Sequence, residues 1–147
     1  MTVEIKNLGS VKLSLKKLSD EIVDKKILNK IGNFLMTSIK ERTLKGYDVS
    51  GDAFEEYTPR YALFRHKKGL PTNLVDLFFT GSMMSSMTYS VDEDSVRIFF
   101  QPTKDKKGVS NPAKAYWLNQ NREFFSLNPD ELSDAVTLYE DYIEEIL

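Results

Sequence analysis

Hydrophobic and polar positions change period several times along this chain, and each change marks an element. Thr2 to Lys6 alternates, with Val3 and Ile5 on one face, which predicts a strand closed by a turn over Asn7-Leu8-Gly9-Ser10. Val11 to Leu18 fits two periods: Val11, Leu13 and Leu15 alternate, while Val11, Leu15 and Leu18 follow a helical spacing, and the helical reading is preferred. From Asp20 to about Leu44 the pattern is clearer. Ile27, Leu28, Ile31, Phe34, Leu35 and Ile39 line one stripe at steps of three and four, predicting the main helix of the fold. At about 1.5 Å per residue it spans about 36 Å. Gly32 inside it costs about 1 kcal/mol relative to Ala, which implies close packing or a slight bend.

Gly46 to Tyr57 is a polar loop, with Phe54 and Tyr57 expected to anchor it to the core. Thr58-Pro59 predicts a helix start, because the Thr hydroxyl accepts from an orphan N–H and Pro has no N–H to lose. Arg60 to Lys68 then forms a short helix with Tyr61 and Phe64 on one side, stopped by Gly69 and kept from resuming by Pro71. Asn73 to Phe79 predicts a buried strand. Thr80 caps a second short helix, followed by Gly81, with Met83, Met84 and Met87 turned inward. Thr88 to Val91 and Ser95 to Gln101 make a hairpin around Asp92-Glu93-Asp94, in which Val96, Ile98 and Phe100 alternate with Arg97 and Phe99. After a lysine-bearing loop, Gln101 to Asn111, Asn111-Pro112 caps a helix carrying Tyr116, Trp117 and Leu118. Asn128-Pro129-Asp130-Glu131 is a capping box for the last helix. The expected fold is α+β, one domain over residues 1–147: a small antiparallel sheet of three or four strands packed by one long helix, with short helices and an acidic C-terminal helix.

Composition narrows the function classes. The 147 residues are 29% charged and 41% hydrophobic, no stretch approaches a membrane span, and no secretory leader is expected from MTVEIKNLGS, which lacks a basic region followed by an apolar run. Cysteine is absent, which excludes disulfides and thiolate metal sites. The net charge of -2 hides a polarity. Residues 1–50 carry ten Lys/Arg against six Asp/Glu, whereas residues 128–147 carry seven Asp/Glu and no Lys or Arg. In that last helix Asp130/Asp134, Glu140/Glu144 and Asp141/Glu145 are like-charge pairs four apart, and Glu144 and Glu145 oppose the helix dipole. Such a helix is expected to dock on something positive, with the Lys-rich N-terminal third, of its own subunit or a neighbour, as the nearest source.

No catalytic constellation is apparent. His66 stands between Arg65 and Lys67 with no partner for metal or base chemistry, and Ser82, Ser85 and Ser86 lack a nucleophile-elbow pattern. Asp92-Glu93-Asp94 is a polar hairpin tip without a calcium loop, and Glu55-Glu56 are adjacent loop residues that do not converge on a substrate. No phosphate-cradling glycine pattern occurs. The expectation is therefore no enzyme, no metal and no cofactor. Lys104, Lys106 and Lys107 cluster near aromatics, which raises nucleic-acid binding as an alternative, opposed by the acidic last helix. An unrelated hydrolase working through His66 or the Ser82 region is a further alternative.

One resemblance adds to this. The order Gly51-x-x-Phe54, Tyr57-Thr58-Pro59, Tyr61, Lys68-Gly69, Leu77-x-x-Thr80-Gly81-x-Met83 resembles the phage virion morphogenesis proteins, the tail-completion or neck proteins of tailed bacteriophages and prophages. Ala115-Tyr116-x-x-Asn119 and Arg122-Glu123-Phe124-Phe125-x-Leu127 extend it over most of the chain, although members often carry Gly soon after the position of Asn119, where Gln120-Asn121 stand here. The resemblance implies a structural, non-enzymatic protein of the virion, present in host cytoplasm during assembly. It implies a homo-oligomer, a ring, that contacts connector, portal or tail-tube proteins and encircles passing DNA, with no membrane partner. The interface candidates are then Lys104, Lys106, Lys107, Asp48 and Asp52, in loops expected to order on assembly. The structural anchors are Phe54, Tyr57, Tyr61, Thr80, Gly81 and Trp117.

Overall fold

The computed structural model describes residues 2–6, 10–14, 25–77 and 81–146, with side chains described for 25–77 and 81–145. The architecture is α+β. Strands β1 (Thr2–Lys6), β2 (Ser10–Ser14), β3 (Met87–Val91) and β4 (Ser95–Phe100) form an antiparallel sheet in the order β1-β2-β4-β3. Helices α1 (Lys25–Leu44), α2 (Pro59–Lys67), α3 (Ser82–Ser86), α4 (Asn111–Asn121) and α5 (Pro129–Ile146) complete it.

The expected stripe on α1 is the spine of the core. Ile27, Leu28, Ile31, Leu35 and Ile39 are fully buried, and Phe34 is packed beside them. They meet Met87 of β3 and Val96, Ile98 and Phe100 of β4, the alternate residues of that hairpin. In the tight turn between these strands, Asp92 N–H donates to the Ser95 carbonyl at 2.8 Å. Arg97 faces out and Phe99 is half-buried. Phe124, Phe125 and Phe100 cluster at one end, with ring centroids of Phe100 and Phe125 4.8 Å apart.

Gly32 of α1 packs against the Tyr89 ring of β3. A Cβ built there would lie 2.4 Å from Cδ2 of Tyr89, so a side chain at this point collides with a ring. Gly32→Ala gains about 1 kcal/mol of helix propensity, while overpacking a closed contact costs about 1–3 kcal/mol. The expected result in urea unfolding is a net loss of stability, reversed to a small gain when Tyr89 is also replaced by Ser.

Three sequence expectations are corrected. Residues 10–14 are a strand rather than the start of a helix, because β1 and β4 flank them on both sides, Val11 standing opposite Ile5 and Ile98. Two complete hydrogen-bonded ladders outweigh a weak local helical spacing. The rest of that segment, and the turn over 7–9, lie outside the described residues. Residues 73–77 are not a strand but irregular, and Leu77 has φ 55, a left-handed conformation outside the extended region of a regular strand. Helix α4 is capped by Ser110, whose Oγ accepts from Ala113 N–H, and not by Asn111, which is buried one residue further in.

The starts of α2 and α5 take the form expected from sequence. Thr58 Oγ accepts from Tyr61 N–H with Pro59 in the first helical position. At α5, Asn128 Oδ1 accepts from Glu131 N–H at 2.8 Å and Glu131 Oε2 accepts from Asn128 N–H at 3.1 Å. Helix α5 lies against α1, burying Ala135 and Tyr142, with Lys30 Nζ 5.9 Å from the Tyr142 ring centroid.

Candidate functional site

Helix α2 is inverted relative to an ordinary amphipathic helix. Its apolar residues Tyr61, Leu63 and Phe64 are exposed, whereas Arg65 is only 1% exposed. Contacts of different kinds hold Arg65 there. Its Nε donates to the Pro71 carbonyl at 3.0 Å, its Nη2 pairs with Asp76 Oδ1 at 3.2 Å, and its guanidinium lies 4.7 Å from the Tyr57 ring centroid. Pro71 and Asp76 belong to the irregular segment that follows α2, so the arginine ties this segment back under its own helix.

Tyr57 is the joint of the region. Besides Arg65, it carries the Arg122 guanidinium 5.5 Å from its ring centroid and meets Tyr61 edge-on at 5.1 Å. Burial pushes the Tyr57 phenol up, with the Arg65 charge pulling against it. Arg122, just beyond α4, also donates to the carbonyls of Glu55 and Glu56 at 3.1 and 3.2 Å. One residue therefore joins the end of α4 to the loop that precedes α2.

These elements enclose an open groove of about 730 Å³. Its lining includes Tyr57, Tyr61 and Arg65, the apolar side chains of Met83, Met84 and Leu118, and Trp117, Arg122, Lys106 and Lys107. Trp117 is 59% exposed, which corrects its expected role as a structural anchor. Its helix buries Ala115 and Asn111 instead, leaving the indole on the groove side. Asn111 Nδ2 donates to Thr103 Oγ1 at 2.8 Å and to Ser82 Oγ at 3.1 Å, locking α4 to α3 and to the lysine loop. Gly81 lines the groove and precedes α3 with φ 82, a left-handed conformation suited to glycine. Thr80 lies outside the described residues.

Both polar loops carry hydrogen bonds within the chain. In the first, Asp48 Oδ1 accepts from Ser50 and Asp52 N–H groups, Tyr47 bridges Ala53, and Val49 N–H donates to the Glu123 carbonyl. Asp48 is thus an internal organiser, while Asp52 is exposed, and Phe54 is buried as expected of an anchor. In the second, Asp105 Oδ1 accepts from Lys107 and Val109 N–H groups at 2.9 Å, its other oxygen pairs with Lys114, and Lys104 bridges Ser110. Lys104, Lys106 and Lys107 are exposed, and only the last two line the groove.

The Lys114 ammonium, followed by the Val109 and Lys107 N–H groups, holds the Asp105 carboxyl below its usual value. A depressed folded pKa gives a stabilisation that is present above the ordinary aspartate value, about 3.9, and lost as pH falls through the folded one. The expected result is an acid-induced loosening of loop 103–111, seen as faster amide exchange at Lys107 and Val109. In Asp105→Asn these amides are expected to exchange faster at neutral pH and to show no acid step.

His66 is exposed, and among the described residues no group of three or more His, Asp or Glu could hold a metal ion. No helix among them is long and apolar enough to cross a membrane. No protein-family model, curated protein or solved structure matches the chain. Arg65, Arg122, Asp76 and Asn111 were not singled out from sequence as parts of this site. For Arg65 the available signal was its place four residues after Tyr61, on the face turned towards Tyr57.

Proposed function

We propose that this chain is a structural morphogenesis protein of a tailed phage or prophage, which assembles as a ring at the head–tail junction or tail end and joins or completes the tail. The observation that supports this reading most is the groove. Tyr57, Tyr61, Gly81, Lys106, Lys107 and Trp117, drawn from separate stretches of sequence, line one open surface. That surface combines exposed aromatic rings with cations, a combination suited to adhesion. The ordered residues resembling the tail-completion family supply the rest: Thr58-Pro59 starts α2, and Asn119 Oδ1 accepts from Phe124 and Phe125 N–H groups at 3.0 Å. That side chain shapes the turn for which family members often use glycine.

Light scattering across concentration and salt, with the largest species imaged by electron microscopy, tests the reading. Closed rings that weaken as salt rises are expected. A chain that stays monomeric, both alone and with connector or tail proteins, would contradict it. The second reading, a small nucleic-acid-binding module, draws on the lysines and aromatics sharing the groove. Salt-sensitive binding of single-stranded DNA by the isolated monomer would favour it.

A further inference from the structure

The groove's cations fall into two sets. Arg65 and Lys114 are paired with Asp76 and Asp105. Lys106, Lys107 and Arg122 form no ion pair with a carboxylate among the described residues, and the two lysines are exposed. The unpaired charge stands beside the exposed rings of Trp117 and Tyr61.

Helix α5 presents the opposite surface. Its apolar stripe is taken up against α1, leaving Asp130, Asp134, Glu140, Asp141, Glu144 and Glu145 exposed. Its last turn has no basic residue. Among the described residues its ion pair is Glu131 with Arg42, at the opposite end. The outer face therefore keeps its like-charge repulsion, and its C-terminal carboxylates keep their conflict with the helix dipole. Cations brought from outside relieve both.

The acidic face lies on α5, whereas the groove is built from α2, α3, α4 and their loops. A contact between two such different patches is heterologous, the kind that closes into a ring or extends as a filament. Resting on the ring reading above, we infer that the groove receives the acidic outer face of α5 from a neighbouring copy of this chain. Lys106, Lys107 and Arg122 then face Glu140, Asp141, Glu144 and Glu145, and Trp117 and Tyr61 cover the contact.

Two charge-reversed chains test this: Lys106→Glu with Lys107→Glu, and Glu140→Lys with Glu144→Lys. All four residues are exposed, and Arg122 is left intact because it also holds the Glu55 and Glu56 carbonyls. Each variant alone is expected to self-associate at least about tenfold more weakly than wild type. Mixed one to one, they offer two compatible pairs, the intact groove of one chain with the intact α5 of the other and the charge-reversed groove with the charge-reversed α5. The mixture is expected to regain association as alternating copies of the two chains, and the chain with all four changes to regain self-association.

Because the chain has no cysteine, Lys107→Cys and Glu144→Cys chains mixed under oxidation give a second readout, a heterodisulfide dimer in excess of either homodimer. Rings of wild-type chain whose association is unchanged in both charge variants would overturn the groove assignment and leave the ring reading standing. The heterodisulfide without wild-type rings would retain the groove contact and remove the ring. Neither rings nor heterodisulfide would overturn both. Single-stranded DNA binding abolished by Lys106→Glu with Lys107→Glu, with no association restored in the mixture, would give the groove to nucleic acid and overturn the inference.

Discussion

Arg42→Ala is expected to cost the protein about 3–5 kcal/mol, one of the two largest single-residue effects in this structure. Arg42 leaves the end of α1 and enters the turn before α5. Its Nε donates to Glu131 Oε1 at 2.8 Å, Nη1 to the Phe124 carbonyl at 3.1 Å and Nη2 to the Ser126 carbonyl at 2.8 Å. Both side chains of the ion pair are 10% exposed. Removing the guanidinium leaves a nearly buried carboxylate without its cation and two carbonyls without donors. Glu131 is also half of the capping box, so the loss reaches the start of α5. Arg42→Lys is expected to recover only part of the loss, since an ammonium cannot serve a carboxylate and two separated carbonyls in that planar arrangement. Urea unfolding measures both. A loss under 1 kcal/mol for Arg42→Ala would show that water reaches the pair and compensates.

Arg65→Ala carries the second large effect, again about 3–5 kcal/mol, or on the order of 10 °C in melting temperature. Here the damage is also local to the groove. The guanidinium supports the Tyr57 ring from one side of the joint, and Asp76 loses a buried counter-charge. Because the single tryptophan, Trp117, lines the same groove, its fluorescence should shift in the folded state of Arg65→Ala and stay unchanged in Arg42→Ala. Identical spectra for both variants would mean that Arg65 stabilises the fold without shaping the groove.

The elements that were legible in the sequence share a property: their signal is local and repeated. The α1 stripe, the β3–β4 alternation and the Asn128–Glu131 capping box each carry several residues that agree. Where tertiary contacts decide, the local pattern misleads. Residues 10–14 become a strand because two neighbours pair with them. Leu77 leaves the extended region although its neighbours are apolar. Trp117 is exposed because Ala115 and Asn111 are the residues α4 buries.

The groove was legible only in pieces. Tyr57, Tyr61, Gly81 and the loop lysines stand out singly, but their convergence depends on Arg65 and Arg122, charged residues with no periodicity to announce burial or clamping. Arg42 left a fainter trace: it continues the Leu35 and Ile39 steps of the α1 stripe, where a basic residue requires a buried acidic partner. The partner, Glu131, is 89 positions away and already explained by its capping box, so neither residue points to the other in sequence.

The central claim, a proposed structural role in joining or completing a phage tail, is tested most directly by deleting the coding sequence from its genome and imaging the particles released on induction. The account predicts DNA-filled heads and separate or unfinished tails, with infectivity lost by orders of magnitude and restored by the wild-type chain supplied in trans. Complete, infectious particles at normal yield would contradict it.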